Sequence, residues 1–206
     1  MAASVAIVFF VGWGVTTLSA QATPGDWMYP VKRAIERVRL ILAVNADDEA
    51  ELRITFSDRR LAEAVKRLER GQGLDDNLLR AALAETKSAL EESLNVSPQE
   101  RARLISQAGY LTAHQKNVID ALASTTRPAD RPVATAFSEM CDERMKWMEG
   151  MMQDMRMKPP SWSGRRQGWE QSATPDASEQ TNPQKATAPS KQQMRRWMDD
   201  CPDWRD

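Results

Sequence analysis

The sequence predicts an all-α protein with an N-terminal membrane helix or signal segment, an antiparallel helical bundle, a Met-rich fifth helix and a disordered C-terminal tail. Two observations support this fold class. Alanine, leucine, glutamate and arginine are abundant while glycine is sparse, with 9 residues among 206, and this is helix-forming composition. Apolar side chains also recur every three or four residues through the middle of the chain, as they do along one face of an amphipathic helix.

Changes in composition divide the chain into four predicted segments. Residues 1–22 are a signal peptide or membrane anchor, and residues 23–127 are a helical domain. Residues 128–157 comprise a linker and a Met-rich amphipathic helix. Residues 158–206 are rich in Pro, Ser, Thr and Gln and poor in bulky aliphatic residues, so we expect a disordered tail with one short Trp/Met/Cys segment.

The N-terminal segment predicts export across a membrane. Residues 2–20 carry no charge, and at about 1.5 Å per residue they are long enough to cross most of a roughly 30 Å hydrocarbon layer. The run ends in Ala20-Gln21-Ala22, which fits the small-x-small pattern of signal-peptidase sites. A cleaved signal peptide, a retained single span and a buried core helix remain alternatives. Because no basic residue precedes the run, we expect the true start to lie upstream of Met1 rather than the orientation to be reversed.

Two amphipathic helices are predicted after this segment. The first begins near Pro30, whose missing N–H costs nothing in the first turn of a helix. Its apolar stripe consists of Val31, Ile35, Val38 and Leu42. The second helix is predicted over residues 47–70, where acidic residues at the start suit the helix dipole and Gly71 favours termination.

Two further helices complete the predicted antiparallel bundle of four. The third covers residues 75–95. The fourth begins with the capping box Ser97-Pro98-Gln99-Glu100. Gln115 alone interrupts its apolar heptad seam. The other seam positions are Leu104, Ala108, Leu111, Val118 and Leu122.

The fifth predicted helix, residues 133–157, is rich in methionine. On a helical wheel its apolar residues occupy one arc, which only Arg144 interrupts. Methionine fills irregular gaps and is common at adaptable binding faces, so we expect this arc to pack on the preceding helices or on a protein partner. The arc consists of Val133, Phe137, Met140, Cys141, Met145, Trp147, Met148, Met151, Met152 and Met155.

The same helix offers two further hypotheses for Cys141. Thioether and thiolate sulfur are soft ligands suited to Cu(I), so Cys141, Met145, Met148 and Met152 are candidate copper ligands. In an oxidising compartment Cys141 could instead form a disulfide with Cys201, because the chain contains only these two cysteines. That disulfide would remove Cys141 from the metal site.

The opening of the first helix resembles a known family. The stretches "PGDWMYPVKRAIERVRLILA" and "DRRLAEAVKRLERG" resemble the bacterial domain of unknown function no. 5667, with Met28 in place of the usual leucine. The resemblance covers roughly residues 20–125. It implies a domain that follows a single hydrophobic segment and lies outside the cytoplasm, and it provides no catalytic residues. The matching motif residues are Pro24, Gly25, Asp26, Tyr29, Pro30, Val31, Lys32, Arg33, Glu36 and Arg39.

Two interpretations of this motif remain open. Trp27 and Tyr29 are the amphipathic aromatic residues expected at the lipid headgroups, where Lys32 and Arg33 could contact phosphates. Alternatively, Trp27, Met28 and Tyr29 cap the end of the helical core.

The predicted function is binding rather than catalysis. With 28 basic and 29 acidic residues there is no positive excess for nucleic-acid binding, and one histidine without a catalytic motif argues against an enzyme. We expect an extracytoplasmic interaction or envelope-sensing module, membrane-anchored through residues 2–20 or secreted to the periplasm. A copper-binding envelope protein is the alternative.

Overall fold

The computed structural model describes residues 22–124 and 126–157, together with positions 196, 199 and 201. Among the residues of the two long ranges the regular structure is entirely helical, so the all-α prediction is confirmed. Short 3-10 turns, Ser93–Asn95 and Pro128–Asp130, precede the last two helices. The five α-helices are α1 (Tyr29–Ile41), α2 (Ala46–Glu69), α3 (Asp76–Glu92), α4 (Pro98–Ala123) and α5 (Arg131–Asp154).

The helix starts follow from local capping. The Asp48 backbone N–H donates to the Asn45 side chain at 2.8 Å at the start of α2. The predicted capping box of α4 is present: the Glu100 N–H donates to Ser97 Oγ at 3.3 Å, and the Ser97 N–H donates to Glu100 Oε2 at 3.1 Å. After α2, Gly71 adopts a φ of 74°, which glycine reaches without a side-chain clash.

Contacts divide the chain into two compact units, residues 1–43 and 44–206. The first contains α1 and the second contains α2 to α5. Of the four helices that we predict to form the bundle, the second unit contains three, and the predicted fifth helix packs with these three. Helix α5 belongs to the bundle because it contributes Phe137, Cys141 and Met148, all fully buried.

Other predicted features lie outside the described residues. Residues 2–20 and the C-terminal tail, apart from positions 196, 199 and 201, are among them. Within the part of the chain that the structure describes, no helix is long and apolar enough to cross a membrane. The predicted segment boundaries at residues 22, 127 and 157 stay predictions.

The bundle core contains three clusters of buried apolar side chains, which we name after Phe137, Met148 and Ile54. In the bundle α2 packs mainly on α3, and α4 packs mainly on α5. The Phe137 cluster takes residues from all four helices. A layer of buried polar residues, described below, crosses each helix. Along every helix the Phe137 cluster lies on one side of this layer and the other two clusters lie on the opposite side. The helices therefore alternate in direction, up and down.

A buried polar layer separates these clusters and joins all four helices. Gln115 of α4 donates from Nε2 to Ser57 Oγ of α2 at 2.9 Å. The Ser57 hydroxyl in turn donates to the Ala82 carbonyl of α3 at 2.7 Å and lies 2.8 Å from Thr86 Oγ1. From α5, Arg144 donates a hydrogen bond to the carbonyl of Leu83, which follows Ala82 in α3. A layer of this kind is costly to disrupt, because each buried group relies on its neighbours for hydrogen bonds.

We expect Ser57→Ala to lower the free energy of unfolding by about 1–3 kcal/mol, because Gln115 Nε2 loses its buried acceptor. Urea unfolding followed by far-UV circular dichroism measures the change. Thr55→Ala is the matched control, since Thr55 lies on the exposed side of the same helix and should change stability by less than about 0.5 kcal/mol. Equal effects of the two substitutions would contradict a structural role for the polar layer.

Candidate functional site

The motif residues before α1 form a compact turn. Asp26 Oδ2 accepts hydrogen bonds from the Thr23 backbone N–H at 2.7 Å and from Thr23 Oγ1 at 2.9 Å. Gly25 has a φ of 100°, in the region that favours glycine. The Gly25-Asp26 pair of the motif therefore has a structural role: it reverses the chain immediately before α1.

Two charged residues of α1 are buried. Lys32 and Glu36 lie one turn apart and are only 5% and 3% exposed. The Lys32 ammonium donates to the Ala22 carbonyl at 3.0 Å, within the turn just described. Glu36 accepts a hydrogen bond from Arg33 at 3.1 Å. The expectation that Lys32 contacts lipid phosphates is therefore wrong, because its charge is bound inside the protein.

The C-terminal part of the apolar stripe of α1 is exposed, whereas Val31 and Ile35 are half-buried. Val38, Ile41 and Leu42 are 52%, 80% and 70% exposed, and we call these three residues the α1 apolar face. Two of them, Val38 and Leu42, belong to the stripe predicted for the first helix. Trp27, just before the helix, is 85% exposed, so it does not cap the core. Single exposed apolar residues are ordinary, whereas a contiguous exposed group marks an interaction site.

The structure separates the predicted copper ligands. Cys141 is fully buried in the Phe137 cluster, whereas Met148 and Met152 are buried in the Met148 cluster with Met145 packed against them. Burial raises the pKa of the Cys141 thiol to about 12. Since metals bind the thiolate, this protonated group is a poor ligand. Among the described residues, no three His, Cys, Asp or Glu side chains are placed to hold a metal ion together.

The predicted disulfide is not formed in this structure. Cys141 and Cys201 are both thiols, and both are buried. Cys201 lies in the Met148 cluster, away from the Phe137 cluster that contains Cys141. The structure thus brings Cys201, rather than Cys141, next to the methionines of α5.

Comparison with known families identifies the chain. The profile of a family described as a domain of unknown function (DUF5667) matches residues 21–131, which is more than half of the sequence. The chain belongs to the DUF5667 family. This match confirms the family resemblance predicted from the motif at residues 24–39. No curated protein and no solved structure matches the chain.

The DUF5667 match includes one of the two candidate binding regions, the α1 apolar face, but not the other, the Met-rich helix α5. It includes the turn at Gly25, all of α1 and the bundle helices α2 to α4. It ends at Arg131, the first residue of α5, so the methionines lie beyond it. The α1 apolar face is therefore part of the DUF5667 domain and the Met-rich helix follows that domain.

Thiol chemistry tests the state of Cys141. In a Cys201→Ser variant we expect no reaction of Cys141 with maleimide at pH 8 while the chain is folded, because a pKa of about 12 leaves only about 10⁻⁴ of the thiol ionised. Urea should expose it to full reaction. Thr135→Cys, at an exposed position of the same helix, is the reactive control.

The parent chain tests the disulfide in the same assay. Unfolded without reductant, it should release two thiols. If no thiol appears until reductant is added, then Cys141 and Cys201 are bridged in the native protein and the thiol assignment fails.

Proposed function

We propose that this DUF5667 protein is a non-enzymatic interaction or envelope-sensing module, tethered to a membrane through residues 2–20 and located outside the cytoplasm. The observation that carries the proposal is the inverted burial of α1, with Lys32 and Glu36 inside and the α1 apolar face outside. A helix that exposes its large aliphatic residues leaves apolar surface for another molecule to bury. The position of α1 soon after the uncharged run supports the tether.

A binding role also fits the chemistry of the bundle. The pKa of the Cys141 thiol is raised by burial, and the residue is fully buried in the packed core. Charged side chains that meet between helices form ion pairs, such as Arg103 of α4 with Asp47 and Glu51 of α2. Such contacts hold helices together and leave little acid–base chemistry available.

The proposal moves the interaction surface from α5 to α1. The buried methionines of α5, Met140, Met148, Met151 and Met152, already pack inside the bundle. Because that face is occupied by the chain itself, α1 offers the larger apolar surface to a partner.

Membrane fractionation tests the tether and its sidedness. We expect the full chain to stay with membranes through an alkaline wash and to be digested by protease added outside intact cells, since a spanning apolar helix resists extraction. The variant Val8→Arg with Val11→Arg is the control: two charges within the run should release the chain, because each costs about 2.5–3.5 kcal/mol at the centre of a span. Where the cell has an outer membrane, the protease is added to spheroplasts, from which that barrier has been removed. Protection from protease in spheroplasts would contradict the proposed location.

Copper binding is a second candidate, supported by one observation. Met145, Met148 and Met152 share a cluster with Cys201, so several soft sulfur atoms lie in one region of the core. If the methionines serve only packing, replacing all three by leucine should leave Cu(I) titrations unchanged and cost less than about 1.5 kcal/mol of stability per site.

The matched control for the copper titration is Met140→Leu, a buried methionine of α5 in the Phe137 cluster. Cu(I) binding that is lost in the triple variant and retained in Met140→Leu would establish the copper function. It would also make the packing explanation incomplete.

A further inference from the structure

We propose that α1 lies in the interfacial layer of an anionic bilayer, with the α1 apolar face turned into the lipid. This inference rests on the proposed tether and names the partner of the surface that α1 exposes. The partner is the lipid surface itself, recognised through apolar burial and negative charge.

Positive charge lies on both sides of the α1 apolar face. At 100° per residue, Val38, Ile41 and Leu42 fall within an arc of about 100°. Arg37 and Arg39 flank Val38, about 100° away on either side, and both are exposed. An apolar strip with an arginine on either side suits a helix lying in a membrane interface, where long cationic side chains reach the headgroups.

The exposed charge of α1 is positive. The exposed charges of α1 are those of Arg37 and Arg39, whereas its single acid, Glu36, is 3% exposed and accepts a hydrogen bond from Arg33. The surface of α1 is therefore cationic. A second copy packed on the apolar face would bring the arginines of two helices together with no exposed carboxylate of α1 between them. Anionic headgroups supply the missing charge.

The segment that connects residues 2–20 to α1 is short. If residues 2–20 lie in the bilayer, residues 21–28 extend at most about 29 Å before α1 begins at Tyr29. The helix is thus held near the membrane surface, where burial of apolar side chains in lipid is an intramolecular event favoured by high effective concentration. Trp27 lies in this connection and is 85% exposed. Tryptophan prefers the headgroup region.

Site-directed spin labelling of the full chain in vesicles tests the inference. A nitroxide is attached at Ile41→Cys and, as a matched control, at Glu91→Cys, an exposed position at the end of α3. The native cysteines are buried, and the unsubstituted chain measures their background labelling. Collision rates with oxygen, which enters lipid, and with a nickel chelate, which stays in water, report depth. The vesicles contain phosphatidylglycerol with phosphatidylcholine, or phosphatidylcholine alone.

We expect position 41 in phosphatidylglycerol vesicles to be shielded from nickel and accessible to oxygen, at a depth of about 5–10 Å. Position 91 should show the aqueous pattern. The shielding at position 41 should be lost in phosphatidylcholine alone, and also in an Arg37→Gln, Arg39→Gln variant. Because these arginines are exposed, their replacement leaves the fold intact.

Three results would overturn the inference. Nickel access at position 41 in phosphatidylglycerol vesicles shows that the face stays in water. Shielding from both reagents shows that protein covers it, whether a second copy or residues of the same chain, and spin–spin broadening identifies the second copy. Equal immersion in both lipid mixtures shows that charge is not recognised. A chain that fails to sediment with vesicles removes the tether as well, whereas a tethered chain with an aqueous position 41 removes this inference alone.

Discussion

The register of the bundle depends on the hydrogen bond between Gln115 and Ser57. Apolar side chains of similar size tolerate sliding, whereas a buried amide and hydroxyl do not. Moving α4 along α2 by one turn would displace Gln115 Nε2 from Ser57 Oγ by about 5.4 Å and leave both groups buried without their present partner. Arg144 of α5 also belongs to this layer, because its guanidinium donates a hydrogen bond to the Leu83 carbonyl of α3. The four helices therefore meet at one level, and the clusters above and below that level pack accordingly.

This constraint explains why α5 contains both methionines and a buried arginine. Arg144 must reach the polar layer, and its long side chain occupies space that short apolar residues would otherwise fill. Flexible, unbranched methionines such as Met148 and Met152 fit the irregular volume that remains. Although the DUF5667 match ends at Arg131, the fully buried Phe137 shows that the core of this chain extends into α5.

The sequence predicted the helices well because capping and periodicity are local. Gln115 and Arg144 are the only interruptions in their apolar stripes, and the structure places both in the polar layer, which the sequence analysis does not predict. Their partners could not be predicted, because pairing Gln115 with Ser57 requires the register of two helices far apart in sequence. The burial of Lys32 was missed for another reason: periodicity separates two faces of a helix but does not say which one the protein covers. The copper ligands and the disulfide could not be settled from the sequence either, because it does not show which cluster contains each cysteine.

The inverted burial of α1 follows from how its charges are satisfied. A lysine is rarely buried unless its ammonium finds acceptors, and here the turn that Gly25 and Asp26 form brings the Ala22 carbonyl to Lys32. Once that charge is accommodated inside, the 3.6-residue period forces the opposite face outward, and this is the face that carries Ile41 and Leu42. The motif therefore fixes the orientation of the helix about its axis. The exposed face of α1 is suited to a boundary between water and lipid, because its apolar side chains favour lipid and the flanking arginines favour the headgroups and water.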